Sequence, residues 1–280
     1  VYPLAKADDP PEMEFVNGSR RAFNTIHANN FEFFEELHAV IEREPIAMLD
    51  PELRGLFPSV GIQKGRPFAP DERMKRILTD AVAVANGTAR ALLWYERNDA
   101  EFLAEVSHWK KGFVGNSWEY LRDEGMGGRH LDARTHFYYF ATVNTPAMAM
   151  KLIGAGSQYA WGYLDSDGNV LDGGKSYKLN IPAEVPAKDF WSVVVYDPQT
   201  RSELQTSQPF PSKNNLTNPL HYNDDGSVDL YFGPEAPAGK EENWMQTVPG
   251  KGWFVLIRLY GPLEPWFDGT WLPGEFELVE

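Results

Sequence analysis

Arg258 has the least expected setting of any charged residue in this 280-residue sequence. It lies in the apolar stretch GKGWFVLIRLYGP, residues 250–262, whose glycine-containing ends bound a predicted strand. Successive strand residues point to opposite faces, and here both faces are apolar, which predicts cover on both sides. Because an enclosed guanidinium without a partner is costly, the sequence predicts that Arg258 has a negatively charged or hydroxylated partner.

Three identities for this partner stay open. An internal carboxylate from Asp189, Asp197 or Glu203 is favoured, because buried charges are usually paired. The second is an anionic or hydroxylated ligand. The third is solvent, which the long side chain of Arg258 reaches if it lies near a strand end.

A second group of charged residues surrounds a predicted turn. The strand FWSVVVYD ends at Asp197, the chain reverses, and the stretch SELQT returns along it. This pattern places Asp197, Arg201 and Glu203 at one end of a sheet. Such a cluster is either the rim of a ligand site or a surface ion pair worth less than about 1 kcal/mol, and the ion pair is favoured.

Aromatic residues complete the candidate ligand-binding set. The stretch RTHFYYFATVN is predicted to be a strand with His136 and Tyr138 on one face, and Trp161 belongs to the next predicted strand. Aromatic rings that stack on sugars would explain these residues, and so would ordinary core filling. Periodicity does not separate the two interpretations.

The elements that position these residues divide the chain in two. Helical spacing and caps predict helices in NNFEFFEELHAVIEREP, DPELRGLF and APDERMKRILTDAVAVANGTARALLWYERND. From about residue 135 the period changes to two, and turn signals separate THFYYFATVN, SQYAWGYLD, SYKLNIP, FWSVVVYD, VDLYFG, GWFVLIRLYG and EFELVE. The prediction is an α+β protein, with a mainly helical region with an irregular connector over residues 1–134 and an antiparallel jelly-roll-like β-sandwich over residues 135–280.

Composition excludes several classes of function. The sequence has no cysteine, so it has no disulfide, thiolate metal site or cysteine nucleophile. The formal charge of −14 opposes nucleic acid binding, and no apolar run approaches the roughly 20 residues of a membrane span. Residues 1–15 lack the pattern of a signal peptide.

No motif predicts a cofactor or a metal. The sequence has neither the phosphate-loop nor the dinucleotide-binding glycine pattern, and its six histidines include no pair at i, i+4. The stretch DSDGN, residues 165–169, spaces its carboxylates as a calcium loop does but lacks the later ligands. A hairpin turn explains it better.

The long motifs of the chain resemble the bacterial family known as domain of unknown function 1214. The resemblance covers residues 156–212 and 226–271, and residues 24–45, 61–78 and 144–150 resemble the segment that precedes that domain. It implies a jelly-roll-like sandwich after a helical region, a partner domain of unknown function 1254 that comes first in such proteins, and a periplasmic or extracellular location. The paired arrangement is similar in fold to peptide-N-glycosidase F, which transfers no catalytic residue to this chain.

The leading hypothesis is a protein that binds a glycan or another hydroxylated or anionic small molecule. A hydrolase that uses two carboxylates from Asp189, Asp197 and Glu203 as acid and base is the second. A structural or assembly role, as a homo-oligomer or with a missing N-terminal domain, is the third.

Overall fold

The computed structural model describes residues 28–95, 97, 102–105, 107–141 and 143–279. Residues 1–15, on which the signal-peptide prediction depends, lie outside these ranges. The helices are α1 Glu32–Arg43, α2 Pro51–Arg54, α3 Leu56–Ser59, α4 Glu72–Trp94, α5 Leu131–Phe140, α6 Pro146–Ala149 and α7 Glu264–Phe267. The strands are β1 Lys110–Lys111, β2 Ser157–Gly162, β3 Ser176–Ile181, β4 Ala187–Tyr196, β5 Ser212–Asn214, β6 Val228–Gly233, β7 Trp244–Gln246, β8 Phe254–Pro262 and β9 Phe276–Val279.

Helix starts in the first half follow their capping residues. Asp50 accepts a hydrogen bond from Leu53 N–H at 2.9 Å, and Asp71 accepts one from Met74 N–H at 2.7 Å. Each aspartate satisfies one of the amide groups that the first helical turn leaves free. The three helices predicted from the first half of the sequence are confirmed as α1, α2 and α4.

Two sheets make up the β region. In the first, the order is β1-β2-β8-β4-β5 and every pairing is antiparallel. The second has the order β7-β6-β3-β9, with β6 and β7 parallel. This order confirms an α+β protein with a helical N-terminal region and antiparallel or mixed sheets. It does not confirm the jelly-roll connectivity that the sequence predicted.

The main core lies between the two sheets. Alternate residues of β4 and β8 face the second sheet and are buried, including Val193, Val195, Ile257 and Leu259. Burial of each such aliphatic side chain contributes about 1.5–3 kcal/mol. The remaining residues of the same strands form the other face, which points away from the second sheet.

A helical layer covers part of that other face. Leu93 of α4 and Phe137 of α5 join a second cluster with Trp161 and Phe254 of the sheet. Phe140 stacks on Trp161 with ring centroids 5.3 Å apart and an interplanar angle of 13°. The sheet thus has one face against the second sheet and one against helices.

One predicted strand is wrong. Residues 135–140 of the stretch THFYYFATVN form the second half of α5 rather than a strand, and the predicted domain division after residue 134 falls inside this helix. His130 caps it by accepting from Ala133 N–H at 3.1 Å. Ala133, His136 and Phe137 are buried and have the i, i+3, i+4 spacing of a helix face, which the alternation of aromatic residues masked. The other predicted strands are confirmed as β2, β3, β4, β6, β8 and β9.

No helix among the described residues is both long enough and apolar enough to span a bilayer.

Candidate functional site

Arg258 lies on the helix-facing side of the first sheet. Its Cα partners across the ladder are Tyr159 of β2 and Ser192 of β4. Directly paired residues of neighbouring antiparallel strands point to the same face, so these three side chains form one row across the sheet. The adjacent row contains Trp161 and Leu256, which the helical layer covers.

The guanidinium of Arg258 is held by aromatic rings. Its Cζ lies 4.9 Å from the ring centroid of Tyr159 and 5.9 Å from that of Tyr260. Phe190 in turn stacks on Tyr260, with centroids 4.0 Å apart and an interplanar angle of 12°. Each cation–π contact is worth about 0.5–2 kcal/mol, and together they fix the position of the charge without neutralising it.

The predicted internal ion pair of Arg258 is not found. The ion pairs of the described residues do not include it, so the favoured carboxylate partners Asp189, Asp197 and Glu203 are wrong. The Nε atom is buried and has no hydrogen-bond acceptor. The residue itself is half-buried rather than enclosed, and arginine keeps its charge at any ordinary pH.

Residues with hydroxyl groups neighbour Arg258 in the sheet. Ser192, its Cα partner in β4, is 8% exposed. The Tyr159 hydroxyl is 2.7 Å from Ser157 Oγ. Burial raises the pKa of Tyr196, and the charge of Arg258 lowers it by a smaller amount, so the cation acts on this face of the sheet over more than its nearest neighbours. We call Tyr159, Phe190, Ser192, Arg258 and Tyr260 the Arg258 cluster.

Asp197 belongs to the turn after β4 and not to the Arg258 cluster. It accepts hydrogen bonds from Gln199 N–H at 2.7 Å, from Thr200 N–H at 3.2 Å and from Lys251 Nζ. Burial raises its pKa, but these three donors together outweigh burial, and the pKa lies below its ordinary value. Lys251, rather than Arg201, is the cation paired with this carboxylate.

Arg201 and Glu203 lie on the same turn but point to different neighbours. The Arg201 guanidinium is over the ring of Tyr139 of α5, with its Cζ 4.5 Å from the centroid. Glu203 is exposed and forms an isolated antiparallel bridge with Tyr196. The turn therefore contacts α5 through Arg201, and the charged groups of Asp197, Arg201 and Glu203 do not line one pocket.

His136, Tyr138 and Trp161 do not form a single platform. His136 contacts Trp161 in the core between α5 and the sheet, with ring centroids 5.5 Å apart. Trp161 is only 4% exposed, whereas Tyr138 is 47% exposed on another side of the helix. A sugar ring has no access to the face of Trp161, so the core interpretation fits His136 and Trp161 but not Tyr138.

Sequence reasoning found Arg258 but missed the residues around it. Tyr159 and Ser192 are separated from it by long stretches of chain, and only the strand register brings them together. Tyr260 was detectable, because it lies two residues along the same strand and on the same face.

The described residues include no group of three or more histidine, aspartate or glutamate side chains arranged to hold a metal ion. The DSDGN stretch is a turn, as predicted. Asp165 Oδ1 accepts from Asp167 N–H at 3.0 Å and Asn169 N–H at 2.8 Å, and Gly168 has a φ of +79°.

One known family matches part of the β region. Residues 156–264 match the family described as "Protein of unknown function (DUF1214)". The chain matches no curated protein.

Two solved structures resemble the fold. The VPA0106 protein from Vibrio parahaemolyticus is 15% identical with a TM-score of 0.46, and the match covers 97% of this chain and 59% of that protein. A putative uncharacterized protein from Burkholderia cenocepacia is 15% identical with a TM-score of 0.38, over 78% of this chain and 47% of that protein. The chain therefore spans less than two thirds of the length of either.

Proposed function

We propose that this chain, with its DUF1214 segment, binds a small ligand that carries an anionic group and hydroxyl groups, and that the ligand's anion pairs with Arg258. The observation that carries the proposal is the half-buried guanidinium whose Nε lacks an acceptor. A charge in this position costs free energy unless a partner compensates it, and no described residue supplies a carboxylate.

The composition of the Arg258 cluster favours this class of ligand. Arginine matches carboxylate and phosphate groups with two parallel N–H donors. The Ser192 hydroxyl and the two tyrosine hydroxyls offer further hydrogen bonds to a hydroxylated molecule. The ligand is small, because the formal charge of −14 repels extended polyanions.

The hydrolase alternative has no comparable support. A general acid needs a raised pKa, whereas the pKa of Asp197 is lowered. Asp189 and Glu203 are exposed, so neither shares the buried environment of Asp197.

D-Glucuronate is a suitable probe, because it combines a carboxylate with a hydroxylated ring. Isothermal titration calorimetry should show saturable binding to the wild-type protein and a loss of about tenfold or more in affinity for Arg258→Met, which corresponds to about 1.4 kcal/mol. Methionine keeps an unbranched side chain between the rings, so the variant removes the charge with little change in packing.

Arg76→Met is the matched control. Arg76 is exposed on α4, away from the Arg258 cluster, and its loss changes the net charge of the protein by the same amount. The control should bind glucuronate as the wild type does. Absence of glucuronate binding in the wild type, or equal affinities of wild type and Arg258→Met, would contradict the proposal.

A further inference from the structure

A cavity outside the Arg258 cluster lies at the edge of the first sheet, where β1 ends and leaves β2 without a neighbouring strand. Its volume is about 380 Å³, within the range of small-molecule sites. The residues that give it chemical character are Lys111, Asn116, Gln158, Tyr159, Trp266 and Asp268.

The chain on both sides of this cavity is held in a defined shape. After β1, Gly112 donates to Tyr159 O at 3.0 Å, and an added Cβ there would approach that same oxygen to 3.1 Å. After α7, Asp268 Oδ1 accepts from Thr270 N–H at 2.9 Å and Thr270 Oγ1 at 2.7 Å. These contacts give the backbone on both sides of the cavity a defined conformation.

Gln158 is the observation that points to a ligand. It lines the cavity and the residue is only 6% exposed, yet no hydrogen bond joins its side-chain amide to a described residue. The amide is not among the described polar atoms that are fully buried without a partner, so it reaches the open space of the cavity and can bond to a molecule there.

The other residues define the chemistry that would satisfy this amide. Trp266 is 8% exposed and presents an aromatic ring to the cavity. Lys111 and Asp268 bring opposite charges to the same cavity, so it favours a neutral molecule over an ion.

We propose that this Gln158 cavity binds a neutral, hydroxyl-rich ring of the size of a monosaccharide. The amide of Gln158 donates to one ring hydroxyl and accepts from another, while the aromatic side chain of Trp266 contacts the apolar face of the ring. Tyr159 also lines the cavity, but its ring lies on the opposite face of β2 against Arg258, so the site is independent of the pairing of Arg258 with an anion.

Saturation-transfer NMR with D-glucose, D-galactose, D-mannose and N-acetyl-D-glucosamine tests this site. At least one of these sugars should bind the wild-type protein saturably. Gln158→Leu should weaken that binding by about tenfold or more, as expected when a buried polar contact is removed. Gln205→Leu, which alters an exposed glutamine elsewhere, should leave it unchanged.

Thermal unfolding of Gln158→Leu separates a binding role from a structural one. The variant should be about as stable as the wild type, because the amide forms no hydrogen bond with a described residue. Loss of stability would show that the amide has a structural partner and would overturn the proposal. Failure of all four sugars to bind, or wild-type affinity in Gln158→Leu, would overturn it as well.

The Arg258→Met variant distinguishes the two sites. This variant should lose affinity for glucuronate and bind the neutral sugar as the wild type does. Gln158→Leu should lose affinity for the neutral sugar and bind glucuronate as the wild type does. If Arg258→Met lost the neutral sugar as well, the independence of the Gln158 cavity would be wrong.

Discussion

Lys110 and Arg258 are two cations on the same face of the first sheet, and their surroundings differ. Lys110 pairs with Trp161 of β2, and Arg258 pairs with Tyr159 of the same strand, so the two lie in neighbouring rows. Lys110 is fully buried, whereas Arg258 is half-buried. The more deeply buried charge is nevertheless the better satisfied of the two.

The end of α4 accounts for this difference. Lys110 Nζ donates to Leu92 O at 3.2 Å and to Leu93 O at 3.0 Å. The last carbonyl groups of a helix have no partner within the helix and carry its partial negative charge, so they suit a buried ammonium group. No described helix end approaches Arg258 in this way, and its Nε stays without an acceptor. The difference supports a structural role for Lys110, and it motivates the proposal that Arg258 pairs with a ligand.

Removal of Lys110 should have the largest effect on stability. In Lys110→Met, the carbonyl groups of Leu92 and Leu93 lose their donor, which should lower the free energy of unfolding by about 2–3 kcal/mol. Urea denaturation measures this change. Lys175→Met, at an exposed turn, serves as the control and should change stability little. Unchanged stability of Lys110→Met would show that the helix end does not depend on this contact.

Asp197 and Lys251 add a third arrangement, in which a half-exposed cation meets a buried carboxylate. Asp197→Asn keeps an oxygen for the Gln199 and Thr200 amides but loses the charge, so the expected cost at neutral pH is about 1 kcal/mol. This lies between the costs expected at Lys110 and Arg258. Chemical denaturation of the variant and the wild type gives the value.

The pH dependence of the stability difference between wild type and Asp197→Asn is a sharper test of the pairing between Asp197 and Lys251. The folded-state pKa of Asp197 is lowered, so its carboxylate contributes stability above the unfolded pKa of about 3.9 and loses it as the pH falls through the folded value. The difference between wild type and Asp197→Asn should therefore be present at pH 6 and shrink below about pH 4. A difference that grew on acidification would contradict the assigned pairing.

The sequence predicts the second half of the chain better than it predicts the contacts between layers. Turn residues and period-two alternation locate β4 and β8, because those signals are local. The sequence places Lys110 in an irregular connector and does not predict its burial. That burial depends on α4 ending over the sheet, which is a tertiary arrangement that no local sequence pattern indicates. Arg258 was recognisable as a charge in an apolar strand, but the absence of a carboxylate partner depends on the register of three strands.

Loss of Arg258 should have the smallest effect on stability. In Arg258→Met the side chain still packs between Tyr159 and Tyr260, and the buried Nε without an acceptor disappears, so the lost cation–π contacts are offset. We expect a change of less than about 1 kcal/mol in the free energy of unfolding. Arg258→Lys provides the matched comparison, because it keeps the charge but not the planar donor group. A loss of more than about 2 kcal/mol in Arg258→Met would place this residue with Lys110 as a structural cation, because such a loss requires an internal partner.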